Sequence, residues 1–247
     1  MGRNWVHAAL AVVSRFVIDV RLAPRTLESA VELLASVAAC CAAQPRPLML
    51  IDNHLPYPAA ILHVFGRIQH RRRRRGHGKF KHPRLKPPPG LLVGVVLKIR
   101  DAAGNLLRVR TRALFGRRKD ILRRLGQLGV GREINTAHIE RINGTIRGHV
   151  ARRGRRTRNG SRRRRTLQWA LWLWRDLYNW TRAHGSLLGR SPAMALGLAQ
   201  ELWTVGRYMK YPVHVSDLQA ELWAEQRQNL LTSALEARIR KKQLPTS

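Results

Sequence analysis

Asp52 and Glu140 are the two carboxylates whose surroundings suit phosphodiester chemistry. The chain has only 14 Asp+Glu against 47 Lys+Arg, so the candidates for metal or acid/base work are few. Glu28 and Glu32 fall on a predicted first helix, Glu201, Glu221, Glu225 and Glu236 on predicted C-terminal helices, and Asp101 in a turn. Asp52 closes a short apolar run, and Glu140 follows a helix start inside an arginine-rich region. Two hard divalent cations about 3.5–4 Å apart activate an attacking hydroxyl and stabilise a leaving oxygen, and such cations need carboxylate oxygens. The competing reading is a plain salt bridge on a basic surface, and spacing alone leaves the two level.

Charge favours a polyanionic partner. Over 247 residues the formal net charge is +33, with 44% apolar residues, enough for a core. The excess is concentrated: Arg67 to Arg165 holds 32 Lys+Arg and four carboxylates, a local net of +28. Lys and Arg neutralise phosphates and release their condensed counterions, which puts nucleic acid first among partners. On that ground Arg71, Arg72, Arg73, Arg74 and Arg75, together with Arg162, Arg163, Arg164 and Arg165, are read as DNA-binding rather than merely solvated. Cys40 and Cys41 are adjacent in an Ala-rich run, unsuited to a disulfide framework or a metal pair, and read as small core residues in a reducing compartment. The longest uncharged apolar stretch, Leu33 to Ala43, is well short of the ~20 residues of a membrane span, and the start lacks a signal-peptide apolar region. A cytoplasmic chain with no membrane partner is expected.

Strand, helix and hairpin patterns must position the two acids. Trp5 to Leu10 is apolar and β-prone, and Phe16 to Leu22 alternates, which predicts two antiparallel strands. Thr26 can cap a helix carrying Ala30, Leu33, Leu34, Val37 and Ala38 at helical spacing. Leu48 to Ile51 reads as a third, central strand ending at Asp52, followed by a short helix from Tyr57 to Phe65 closed by Gly66. Arg67 to Gly90 reads as a loop. Leu91 to Phe115 alternates about Asp101-Ala102-Ala103-Gly104-Asn105, a hairpin whose outward faces carry Lys98, Arg100, Arg108, Arg110 and Arg112. A helix capped by Asn135 or Thr136 sets Ile139, Ile142, Ile146 and Val150 on one face and Glu140, Asn143 and Arg147 on the adjoining stripe. Leu167 to Trp180 is a Trp-rich helix whose tryptophans are expected to be mostly structural, and two or three helices follow Pro192.

The segment Asn135-Thr136-Ala137-His138-Ile139-Glu140-Arg141-Ile142-Asn143-Gly144-Thr145-Ile146-Arg147 resembles the N-T-x-x-x-E-R-x-N-x-x-x-R motif of bacterial insertion-sequence transposases of the DDE class. Tyr178-Asn179-Trp180-Thr181-Arg182-Ala183-His184-Gly185-Ser186-Leu187 with Ser191-Pro192-Ala193 is similar to the Y-N-x-x-R-P-H-x-S-L…T-P tail of that superfamily, with Ala183 in place of Pro. Ile51-Asp52-Asn53 with Tyr57 and Ile61 resembles its T-D-G-x-x-x-Y-x-x-x-I segment, and Phe16 to Thr26 matches the strand and P-R-T turn before its first crossover helix. The four blocks keep the family's order over most of residues 5 to 195.

The resemblance implies an α/β, ribonuclease-H-like mixed sheet flanked by helices over residues 1–187, a basic insertion over 67–132 and a helical C-terminal extension over 188–247. It implies Mg²⁺ or Mn²⁺ at a two-metal site, Asp52 as second acid and Glu140 as third, and cleavage and joining of double-stranded DNA at element ends by a homo-oligomer. Asn143 and Arg147 would contact DNA or brace the site, His184 belongs to the tail motif, and Tyr57 packs behind Asp52. One departure matters: the family's first Asp lies on a strand preceding Trp5, where only Met1-Gly2-Arg3-Asn4 stand. Asp19 lies one strand too late and reads as a surface ion pair. A chain lacking one of three metal carboxylates is expected to be catalytically impaired, an upstream frame would supply the missing N-terminal part, and the family's usual N-terminal DNA-end-binding domain is absent as well. The reading from another class is a non-catalytic basic nucleic-acid-binding protein.

Overall fold

The β-prone run from Phe16 onward buries Val17 and Val20, and this strand pairs with its predecessor as expected. In the computed structural model, which describes residues 4–41, 46–69, 83–150 and 163–211, β1 (Trp5–Ala11) and β2 (Phe16–Ala23) form an antiparallel pair with a bulge between Ala9 and Leu10. Thr26 caps α1 (Leu27–Ala39), its side chain accepting from the Ser29 amide. β3 (Leu48–Asp52) leads to α2 (Tyr57–Phe65), which ends at Gly66.

A second sheet, of order β3-β6-β7, joins β3 in parallel to β6 (Leu92–Arg100) and β6 in antiparallel to β7 (Leu106–Phe115). Three helices follow, α3 (Arg118–Gln127), α4 (Ala137–His149) and α5 (Arg164–Thr181). A 3-10 turn over Gly185–Leu187 and α6 (Pro192–Ala195) complete the first of two compact units, Met1–Trp203. The second unit, Thr204–Ser247, contains α7 (Val205–Met209), whose N-cap Thr204 accepts from the Arg207 amide.

Three apolar clusters hold the first unit. Val17, Val20 and Leu22 of β2 pack with Ile142 and Ile146 of α4 and Leu171 and Trp174 of α5. Ala30 and Leu34 of α1 meet Met49 of β3, Ile61 and Phe65 of α2 and Val93 of β6. Val96 of β6 packs with Ile121 and Leu125 of α3 and with Ile134. The α1 helix contacts β1 and β2 and also packs on β3 side chains, so it ties the two sheets together.

The architecture is mixed α/β, with differences from the sequence expectations. β3 is an edge strand rather than a central one, because it pairs only with β6 among the described residues. The stretch read as a loop contains a two-stranded ribbon, β4 (Arg67–Gln69) with β5 (Arg84–Lys86), whose residues are exposed; with no buried face it leaves no alternation to read. α3 escaped notice because its buried residues are only Ile121 and Leu125 in a strongly basic segment. Of the tryptophans on α5, Trp174 is buried, Trp180 half-buried, and Trp169 and Trp172 exposed. Asp19 is not a surface residue: at 4% exposure it accepts from Arg21 Nε at 2.5 Å, Ser36 Oγ at 2.8 Å and the Val20 amide at 2.8 Å. The bulge at Ala9/Leu10 sits opposite Asp19 and Val17, where simple alternation fails. Among the described residues no helix is long and apolar enough to cross a membrane.

Candidate nucleic-acid interface and carboxylate pair

The parallel β3–β6 register pairs Asp52 with Val96, so both side chains point to one sheet face, and Lys98 lies on that face two residues further along β6. Glu140, in the first turn of α4, reaches across to it: Lys98 Nζ is 2.5 Å from Glu140 Oε1, and Thr136 Oγ1 donates to the same oxygen at 2.5 Å. Both candidate caps of α4 are used. Asn135 Oδ1 accepts from the Ala137 amide at 3.2 Å, and Thr136 occupies the N-cap position but directs its hydroxyl to Glu140. Partial burial opposes ionisation of Glu140, yet the hydrogen bonds from Lys98 and Thr136 and the charges of Lys98 and Arg100 prevail and hold its carboxyl below the ordinary range.

Asp52 has different company. Its charge is felt by His7, His54 and Tyr57, and Tyr57 packs edge-on against His54 with ring centroids 5.0 Å apart. His7 and His54 are 5.8 Å apart, and the Nε2 atom of each is buried without a hydrogen-bond partner. Burial first, opposed by Asp52, lowers the His54 pKa; burial likewise lowers that of His7 and, with Asp52, raises that of Tyr57.

Asp52 thus pairs with Val96 on β6 while Glu140 holds Lys98 two residues further along, and no hydrogen bond or ion pair joins the two acids. Among the described residues no group of three His, Cys, Asp or Glu comes together as a metal site. A divalent ion at Glu140 would have to displace the Lys98 ammonium from the same oxygen.

The predicted DNA-binding residues that the structure describes lie on α4 and at the start of α5. Arg71 to Arg75 and Arg162 lie outside the described residues. Arg163 is exposed at the start of α5, Arg164 donates to the Leu22 carbonyl at 3.2 and 3.0 Å, and Arg165 lies over the Trp169 ring at 4.8 Å. On α4, Arg147 is exposed and Asn143 half-buried. His184 follows α5, its ring 4.8 Å from that of Tyr178 and its Nε2 buried without a partner.

The most ordered cationic feature is the β6–β7 hairpin. Beyond the Asp52–Val96 pair β3 ends, and the hairpin runs on as a two-stranded ribbon exposed on both faces. Its register sets Arg108 opposite Ile99, Arg110 opposite Leu97 and Arg112 opposite Val95, so the three arginines form a row on one face. Successive members are about 6.8 Å apart at ~3.4 Å per residue. None of the three guanidiniums makes a hydrogen bond or ion pair within the described residues, and all three residues are exposed. The turn is stiff, with Asp101 accepting from the Asn105 amide at 2.7 Å and Arg100 donating to the Gly104 carbonyl at 2.7 Å. Sequence alternation placed these arginines outward; it gave no sign that Lys98 would instead be committed to Glu140, a partner 42 residues away. No family model matches the chain, and no curated protein or solved structure matches it either.

Proposed function

We propose that this chain is the DNA-holding core of an insertion-sequence transposase of the DDE class, with a ribonuclease-H-like arrangement, and that with Lys98 seated on Glu140 it does not cut DNA by itself. The observation carrying the DNA reading is the row Arg108, Arg110 and Arg112. Three uncompensated guanidiniums on one strand face repel one another, and a line of phosphates removes that repulsion. In support of the family reading, an antiparallel pair, a helix and an acid-bearing strand precede a parallel neighbour, and a helix bearing Glu140 follows. Asp52 and Glu140 are the acids carried over by the resemblance, Mg²⁺ or Mn²⁺ the expected ions, and Lys98 stands where a cation would bind Glu140.

The test has two arms. Changing Arg108, Arg110 and Arg112 together to Gln is expected to lower duplex affinity and to flatten the slope of log K against log salt by about 2.7, at ~0.9 for each phosphate no longer neutralised. Supercoiled plasmid with Mg²⁺ or Mn²⁺ is expected to stay intact with this chain. Any nicking that is seen must vanish on Glu140→Ala. Nicking that survives Glu140→Ala would leave the other reading, a non-catalytic basic nucleic-acid-binding protein with a contaminating nuclease.

A further inference from the structure

Away from the ribbon, the β1–β2 turn, α4 and the end of α5 enclose a cavity of about 140 Å³. Three guanidiniums line it, Arg15, Arg141 and Arg182, with the hydroxyls of Thr145 and Ser186 and the ring of His184. No carboxylate lines it. Three like charges around one cavity repel one another, and without an acid among them the cluster lacks its counter-charge.

Two further details point to a ligand. Arg15 adopts a left-handed backbone conformation, φ 60°, where a turn ordinarily favours Gly or Asn. The strain is tolerated for a side chain that enters the cavity wall, with Arg15 Nη1 2.6 Å from His138 Nδ1. Facing it, His184 Nε2 is buried and unpartnered, and the Arg141 guanidinium makes no hydrogen bond or ion pair among the described residues. Burial first, then the neighbouring arginines, hold both His138 and His184 below the ordinary histidine pKa, so the arginines carry the charge.

We propose that this cavity is a phosphate-binding site. Its volume is ample for one phosphate group. Guanidinium forks match phosphate oxygens in bidentate geometry, and the Ser186 hydroxyl supplies a further donor. The shared chemistry is a phosphate dianion, from either a terminal phosphate of a DNA strand or a free phosphate. The proposal goes beyond the DNA-holding reading and does not depend on the ribbon.

The experiment titrates the full chain in chloride buffer with inorganic phosphate, followed by calorimetry and ³¹P NMR. It then compares a 5′-phosphorylated duplex with the same duplex unphosphorylated by fluorescence anisotropy. Saturable phosphate binding is expected, weakened about tenfold or more by Arg141→Gln, since charged hydrogen bonds to phosphate are removed. Arg15→Gly is expected to weaken it similarly while leaving the thermal midpoint unchanged or higher, because Gly relieves the turn. Arg123→Gln on α3 serves as the unaffected control. A preference for the 5′-phosphorylated duplex that Arg141→Gln abolishes assigns a strand end; phosphate binding with no such preference assigns a free phosphate. Absence of saturation up to about 10 mM phosphate, a dissociation constant in the weak millimolar range, overturns the proposal, as does wild-type binding by both variants. Failure of the unphosphorylated duplex to bind counts against the ribbon reading alone.

Discussion

Lys98 and Glu140 show how one residue pair sets a local balance. The Glu140 side chain is 49% exposed and Lys98 33%, so the pair belongs with surface ion pairs, which contribute about 0.2–1 kcal/mol. The folded-state pKa of Glu140 is depressed, so its contribution is complete above the unfolded value near 4.5 and is lost as pH falls through the lower folded value. Glu140→Gln is therefore expected to cost a fraction of a kcal/mol at neutral pH and nothing at about pH 2–3, read as urea midpoints in the two buffers. An equal difference at both pH values would disprove the ion-pair account. Asn179 is the buried counterpart. Its Oδ1 accepts from the Val17 amide and its Nδ2 donates to the Val17 carbonyl, both at 2.9 Å, with the side chain 1% exposed. Asn179→Ala strands both backbone groups and is expected to cost about 2–6 kcal/mol, at roughly 1–3 per unsatisfied buried group, visible in the same urea titration. The Tyr-Asn pair in the tail motif thus has a structural task, and a loss below half a kcal/mol in the variant would refute it.

At the scale of elements, α5 covers the outer edge of β2 with side chains instead of another strand. Gln168 Oε1 accepts from the Leu22 amide at 2.6 Å, Gln168 Nε2 donates to the Val20 carbonyl at 2.9 Å, and Arg164 and Asn179 bond Leu22 and Val17. An uncovered edge is a template for pairing with another chain. Gln168→Leu is therefore expected to lower the concentration at which the protein self-associates, measured by light scattering, while α5 stays helical by circular dichroism; a variant that self-associates no more readily than wild type would count against edge protection. Cooperation of this kind was invisible in the sequence, where Gln168 and Leu22 are 146 residues apart. Local features were legible: the Thr26 cap, the Asp101–Asn105 turn and the Ile142, Ile146, Val150 face depend on neighbours within one turn or one strand. What could not be read depended on distant partners. β3 looked central because its run Leu48 to Ile51 is wholly apolar, and its edge position depends on which strands pair with it. Asp52 and Glu140 stood out as acids in basic surroundings, but Lys98 on Glu140 and the histidines beside Asp52 are products of the tertiary fold.

The whole molecule carries +33 in 247 residues, and that charge acts on folding and binding in opposite directions. Compaction forces like charges together, so self-repulsion destabilises the folded state, while every phosphate bound gains from released counterions. Raising salt shortens the screening length from about 10 Å at 0.1 M to about 3 Å at 1 M. Repulsion between arginines spaced at ~6.8 Å along β7 is then largely screened. The thermal midpoint is therefore expected to rise with sodium chloride over that range, where duplex affinity falls by orders of magnitude. Duplex DNA at low salt should raise the midpoint as well, since a ligand of the native state stabilises it by mass action. Calorimetric melts at the two salt concentrations, with and without DNA, read both effects in one series. Melting points that decline with salt in the free protein would mean that ion pairs such as Arg21–Asp19 at 2.5 Å and Lys98–Glu140 at 2.5 Å outweigh the repulsion. The cationic surface would then already be compensated within the chain, and the force drawing it to phosphate would be correspondingly weaker.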